Sequence, residues 1–408
     1  MKIKKLICLI TLFLCLSNVF AAKNAYGTAD EQTLELLNQV DELINQKQYA
    51  TAFGKLSDED NEYHIAKRIE IAINYFVQSI MHQMFCFKNL EENESLYEIR
   101  KNPQGNYNLT MYNPETVIQE FEEKHGERPI LDYALGLYYC DITRRYPGTW
   151  LISDDELYQK GRDYLARACE KDCWDGWSLS ELAWCYLRTK EYDNAVKIYS
   201  QKFNSDEYFS EDDEYNYGLA CYYTNQYETA EEMFKKSAQA YKEEDNEDYL
   251  YDAYYLLLEL YLVMGRHSDA QEYLDLCHSI STQDYRVERY AVILYAMTKN
   301  KEKLLEYSDK LFAFGPEKPS VSQMIAKEYF NYEVEEWLPE FFEMELAKPD
   351  NTTGTIQNLY FHYASSLSNM EKTDLAAQTA QKAKEAFEAD GSLTPEIQEM
   401  LEGMGLKP

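Results

Sequence analysis

Positive charge is what this sequence has least of. Its 408 residues carry 40 Lys and Arg against 72 Asp and Glu, a net charge of −32 at pH 7. A surface so acidic repels nucleic acid and anionic lipid, which excludes both as main partners. The excess reads as a solubilising face, with a basic partner or a divalent-cation atmosphere as the sharper alternative. Motifs for chemistry are missing as well. There is no Gly-rich phosphate loop, no G-x-S-x-G elbow and no H-E-x-x-H pair. The six histidines are scattered, one to a helix or loop. Carboxylates are so abundant that an acid/base pair can always be drawn, and nothing marks a cleft for one. Asp58-Glu59-Asp60-Asn61-Glu62 clusters oxygens without the glycine and spacing of a calcium loop. The expectation is a protein that is not an enzyme and uses no cofactor or metal.

Long apolar runs are lacking too, except at the start. Lys2, Lys4 and Lys5 precede a mostly apolar stretch from Leu6 to Phe20, and Val19-Phe20-Ala21 offers a small-residue cleavage site. The pattern predicts a signal peptide over 1–21, cleaved after Ala21, and an exported protein of the periplasm or cell envelope. The run is short of the ~20 residues of a stable membrane span and no cationic stop follows it. Leu14 stands before Cys15 where a lipobox wants a small residue, so lipidation at Cys15 is the lesser alternative. Loss of the three lysines with this segment takes the net charge from −32 to −35. Cys86, Cys140, Cys169, Cys173, Cys185, Cys221 and Cys277 then remain. Most fall on apolar helical faces and read as free thiols, which suits an envelope without strong disulfide-forming machinery. Cys169 and Cys173, one helical turn apart, are a strained disulfide or half a metal site, but no second pair with zinc spacing accompanies them.

What is present is helical periodicity with small residues in register. Asp213 to Tyr241 reads as two antiparallel helices turned at Asn225-Gln226. Gly218, Ala220, Ala230 and Ser237 stand where the backbones must touch, with Phe234 beside them. Gly218 costs roughly 1 kcal/mol of helix propensity, which close packing must return. Alanines equivalent to Ala230 recur at Ala195 and Ala270, 35 and 40 residues apart. The longer interval takes up the acidic linker Lys242–Asp248. Leu182, Tyr186 and Tyr192 in one copy, and Leu257, Tyr261 and Leu274 in another, repeat the pattern.

These residues resemble the tetratricopeptide repeat (TPR), whose period is 34. The resemblance implies an all-α, right-handed solenoid of helix pairs. Residues 22–113 form an N-terminal helical cap with one degenerate repeat, including a long packing helix from Glu62 to Lys88. His82 in that helix reads as a satisfied interior histidine. Lys101 to Asn113 is a loop ending in a helix start at Asn113-Pro114. The array spans 114–390. It comprises a split repeat at 131–171, repeats at 177–203, 212–241 and 252–278, a weaker one at 286–314, irregular helices at 320–347 and a repeat at 358–388. Residues 391–408 supply a capping helix and tail. The split repeat, with Gly136 and Gly161 at its small sites, is interrupted by the insertion Arg144–Asp155. Its Trp150 is either a binding contact or a cover folded back on the array.

In this family the first helices line a concave groove. Carried over by resemblance, the inward sites fall on Tyr133 and Leu137, on Trp184 and Arg188, on Tyr215, Leu219, Tyr222 and Tyr223, and on Tyr255 and Glu259. Such a groove is aromatic and suits an extended peptide or an amphipathic helix. It lacks the inward Lys and Asn of modules that clamp C-terminal carboxylates. The resemblance therefore implies non-catalytic binding of an envelope protein or peptide. Glycan binding, with Trp150 and Trp184 stacking on sugar rings, is the alternative. The oligomeric state is open.

Overall fold

A computed structural model describes residues 24–102, 108–281, 284–315 and 318–405. The expected signal segment and Cys15 lie outside the described residues. The chain divides into two compact units, one up to Met233 and one from Phe234.

The first unit begins with α1 (Glu31–Asn45) and α2 (Tyr49–Lys55), two helices packed together, followed by α3 (Glu62–Asn74). Asp30 caps α1 by accepting from the Thr33 amide, and Asn61 caps α3. Here the structure corrects the sequence reading. The helix expected to continue to Lys88 ends at Asn74, and an antiparallel hairpin follows, β1 (Gln78–Ile80) and β2 (Met84–Cys86). Phe76, Val77 and Phe85 are buried, and His82 and Gln83 lie in the turn. Met81 and His82 there take φ of 46° and 49°. Neither is Gly, Asn or Asp, so no usual hairpin signal stands in the sequence. After α4 (Leu96–Lys101), β3 (Thr110–Met111) adds to β2, opposing Met84 with Met111. Asn113 then caps α5 (Pro114–His125), with Pro114 in its first turn.

Helix hairpins follow: α6 (Pro129–Arg145) with α7 (Asp154–Glu170), α8 (Gly176–Arg188) with α9 (Tyr192–Phe203), and α10 (Glu211–Tyr223) leading into α11 (Tyr227–Glu243), which carries the unit boundary. The α6–α7 crossing is close enough to demand glycine. A Cβ on Gly136 would fall 2.5 Å from Leu165 Cγ, and one on Gly161 2.9 Å from Cys140 Sγ. The second unit runs through α12 (Glu247–Val263) and α13 (His267–Ile280), then α14 (Tyr285–Met297) and α15 (Lys301–Phe314). After α16 (Lys318–Asn331), a 3-10 turn at Glu335–Trp337 and α17 (Leu338–Leu346) comes the last pair, α18 (Thr353–Asn369) and α19 (Thr373–Asp390). The end helix α20 (Pro395–Gly403) buries Leu401 against Ala364, Ala380 and Ala383.

One device recurs at the hairpin turns. Lys47, Lys190, Asn225, Gly265, Lys299 and Glu371 each have positive φ. The next residue's amide bonds back five positions, as in Gln226 to Cys221 O (2.8 Å) and Arg266 to Tyr261 O (2.8 Å). This closure satisfies carbonyls that the helix end leaves open. The alanines expected at crossings, Ala195, Ala230, Ala270, Ala376, Ala380 and Ala383, have no exposed surface. All seven described cysteines are free thiols, Cys169 and Cys173 included, so the disulfide drawn from that pair is not formed.

Candidate functional site

At the split repeat the expected inner face is already covered by the chain itself. Every residue of α6 from Ile130 to Thr143 is buried, Asp132 and Asp141 among them. Tyr133 is not a groove residue. It is 1% exposed, its ring meets Tyr26 edge-on at 6.2 Å and its hydroxyl donates to Asp175 Oδ2 at 2.8 Å. Leu137 is equally sealed. The hairpin turn packs on the same helix. His82 Nε2 lies 2.7 Å from Asp141 Oδ2, Tyr138 donates its hydroxyl to His82 O, and Arg145 reaches both Asp141 and Ile73 O. Burial pushes the Asp141 carboxyl up, but the bonds from His82 and Arg145 outweigh it and leave it below the usual range.

Ser79 Oγ stands 3.4 Å from His82 Nδ1, so serine, histidine and aspartate fall in one row. With Nε2–H donated to Asp141, Nδ1 is left to accept from Ser79 or from Tyr146. The imidazole is fully buried, and its bonds tie the hairpin to α6. Within the insertion, Trp150 is half-buried with its ring 5.1 Å from Tyr146.

Beyond α6, residues remain at the surface. Trp184 on α8 meets Tyr158 edge-on at 4.9 Å, and the exposed Arg188 places its guanidinium 5.3 Å from the Tyr158 ring and 6.0 Å from Trp184. Burial raises the Tyr158 phenol, with Arg188 acting the other way. Tyr215, Leu219, Tyr222 and Tyr223 follow at i, i+4, i+7 and i+8 along α10, one helical face. The first three are half-buried, Tyr223 is 50% exposed, and the intervening Tyr217, Ala220 and Cys221 are buried. Tyr223 stacks on Tyr192 at 4.5 Å and meets Tyr222 near-perpendicular at 5.5 Å. In the second unit, Tyr255 lies 5.2 Å from Tyr290 with Arg286 over its ring, and both Tyr255 and Glu259 are half-buried. Tyr290 is raised by burial and by its contacts with Tyr255 and Glu259.

The sequence reading passed over one polar cleft, where α1 and α3 face the start of α8. Lys67 Nζ sits 2.8 Å from Asp41 and 3.1 Å from Glu70, and Tyr26 donates its hydroxyl to Glu70 at 2.6 Å. Trp177 stands at the rim, its indole N–H donated to Glu181 at 3.1 Å. The available signal was Trp177 itself, seven residues before Trp184 and on the same face of α8.

Among the described residues, no group of three or more His, Cys, Asp or Glu is placed to hold a metal ion, and no helix is long and apolar enough to cross a membrane. No family model matches the sequence, and no curated protein matches it. Among solved structures it is similar to a tetratricopeptide repeat protein from Parabacteroides merdae, at 16% identity over 67% of this chain and 98% of that one, with a TM-score of 0.42. It is also similar to the C-terminal part of a TPR repeat-containing protein from Cytophaga hutchinsonii, at 13% identity over 65% and 99% of the two chains, TM-score 0.42. YrrB, a TPR protein described as having an unusual peptide-binding site, is 16% identical over 46% of this chain and 93% of its own, TM-score 0.34. The all-α array of helix hairpins stands on this chain's own packing.

Proposed function

We propose that this chain is a non-catalytic interaction module of the cell envelope that binds an extended peptide or amphipathic helix of another protein. The binding face is that of α8 and α10 in the first unit, from Trp184 and Arg188 to Tyr215, Leu219, Tyr222 and Tyr223. One observation carries this reading: aromatic side chains follow a single helical face of α10 and stay partly exposed while the opposite face is buried. Tyrosine and tryptophan offer large contact area at low entropy cost and keep a polar tip for hydrogen bonding. Arg188, beside the Tyr158 and Trp184 rings, adds a cation suited to a carboxylate on the ligand. The face starts at α8 because α6 is occupied by the N-terminal region.

Crosslinking the protein in its own envelope fraction should recover one stoichiometric protein partner. Trp184→Ala and Tyr222→Ala should each weaken that partner's binding by more than ~1 kcal/mol without unfolding the chain. Unchanged affinity in the double variant would reject this face, and recovery of no protein partner would reject the reading.

A further inference from the structure

The second unit holds a mainly apolar cleft of about 350 Å³, within the ~300–1,000 Å³ of small-molecule sites. One face of α18 makes its floor. Gly354, Gln357, Asn358, Phe361 and His362 line it at i, i+3, i+4, i+7 and i+8, the spacing of side chains that share one side of a helix. Phe387 of α19 and Ile397 of α20 line it as well. The stripe lacks a side chain at one position, and there the cleft is open: a Cβ on Gly354 would meet no atom within 4 Å. Phe361 and Ile397 pack on the core of Ala364, Ala380, Ala383 and Leu401, so this apolar surface is fixed before a ligand arrives.

Charge and hydrogen bonding then narrow the ligand. None of the described residues that line the cleft is charged. Burial pushes the His362 imidazole below its ordinary value, which leaves it neutral at pH 7. An ammonium or a carboxylate entering here would give up water and find no counter-charge. Gln357 is already used, its Nε2 donating to Ala386 O at 2.9 Å and to Ser392 Oγ at 3.1 Å. Asn358 is used only in half. It is 8% exposed, and its Oδ1 accepts from the Ser322 hydroxyl at 2.7 Å, which holds the amide in place. No group among the described residues accepts from its Nδ2, yet that nitrogen is not sealed from solvent. A nearly buried amide on an apolar floor, with N–H bonds unused, calls for an acceptor on the ligand.

We propose that this cleft binds a small neutral apolar molecule carrying a carbonyl group, its hydrocarbon part against Phe361, Phe387 and Ile397 and its oxygen accepting from Asn358 Nδ2. The site is separate from the peptide face of α8 and α10, and either can stand without the other. The test is ligand-observed NMR titration of the full chain with acetophenone and benzamide. Ethylbenzene serves as the counterpart without an acceptor, and benzoate and benzylamine as the charged ones. At least one of the two carbonyl compounds should bind, ethylbenzene about fivefold more weakly for want of one neutral hydrogen bond, and the charged pair more weakly still. Asn358→Leu should bring the carbonyl compound down to the level of ethylbenzene. Gly354→Leu should fill the cleft and weaken binding roughly tenfold or more. That variant keeps the test decisive if Asn358→Leu does not fold, because its Cβ meets open space and leucine favours a helix over glycine. Tyr222→Ala, on the peptide face, should bind as wild type does. No binding by either carbonyl compound would overturn the proposal. So would ethylbenzene or benzoate bound as tightly as acetophenone and benzamide, or carbonyl binding that Gly354→Leu leaves intact.

Discussion

A buried carboxylate shows how far one side chain can depart from its usual behaviour. Glu345 on α17 has no exposed surface, and neither oxygen accepts a well-aligned hydrogen bond, although Lys348 Nζ lies 2.8 Å from Oε2. Burial pushes its carboxyl up to about 7, Lys348 opposes the shift, and Asp309 adds to it. A group raised in the folded state stabilises that state most at low pH. Its contribution is complete below the ordinary carboxyl range and is lost as pH rises through about 7. The loss amounts to about 3 kcal/mol at most. Glu345→Gln cannot ionise, so its stability relative to wild type should rise from pH 5 to pH 8. Parallel denaturation curves for the two proteins across that range would show that Glu345 ionises freely. The thiols reflect the same physics: burial pushes Cys221 and Cys277 up to about 12, which leaves them packing residues rather than nucleophiles.

Helix pairs were legible because small residues at crossings announce themselves: Ala195, Ala230 and Ala270 are each fully buried. The start at Asn113-Pro114 was legible because proline and an Asn cap have one local meaning. The β1–β2 hairpin was not. Its turn carries Met81 and His82 in a conformation that favours glycine, held by the tertiary contacts of His82 with Asp141 and Tyr138, which no local pattern encodes. The hairpin turns of the array raise the same point in a testable way. Lys299, between α14 and α15, is exposed and has φ 53°, where a Cβ costs roughly 1 kcal/mol. Lys299→Gly should therefore stabilise the second unit by about 0.5–1 kcal/mol in urea titration. A lower midpoint in the variant would mean that the lysine side chain contributes more than its backbone costs.

Across the whole molecule, the site was harder to read than the fold because position within a repeat does not say what lies over it. Tyr133 and Trp184 occupy matching first helices, yet Tyr26 and the hairpin region seal the one while the other keeps surface. The cleft at Trp177 depends on α1 and α3 meeting α8, a long-range arrangement that periodicity cannot express. Net charge, by contrast, needs no fold to be read. With 72 acidic against 40 basic residues, the folded chain repels itself more than the expanded one. Exposed ion pairs such as Arg266–Asp269 at 2.7 Å act the other way but contribute little each. Salt screens both terms beyond about 10 Å at 0.1 M, and the repulsion is the longer-ranged. The melting temperature should therefore rise as sodium chloride is raised from about 20 to about 300 mM. A fall over that range would place ion pairs above self-repulsion in holding the chain together. The same titration bears on the peptide proposal. A peptide carboxylate paired with Arg188 should bind more weakly as salt rises.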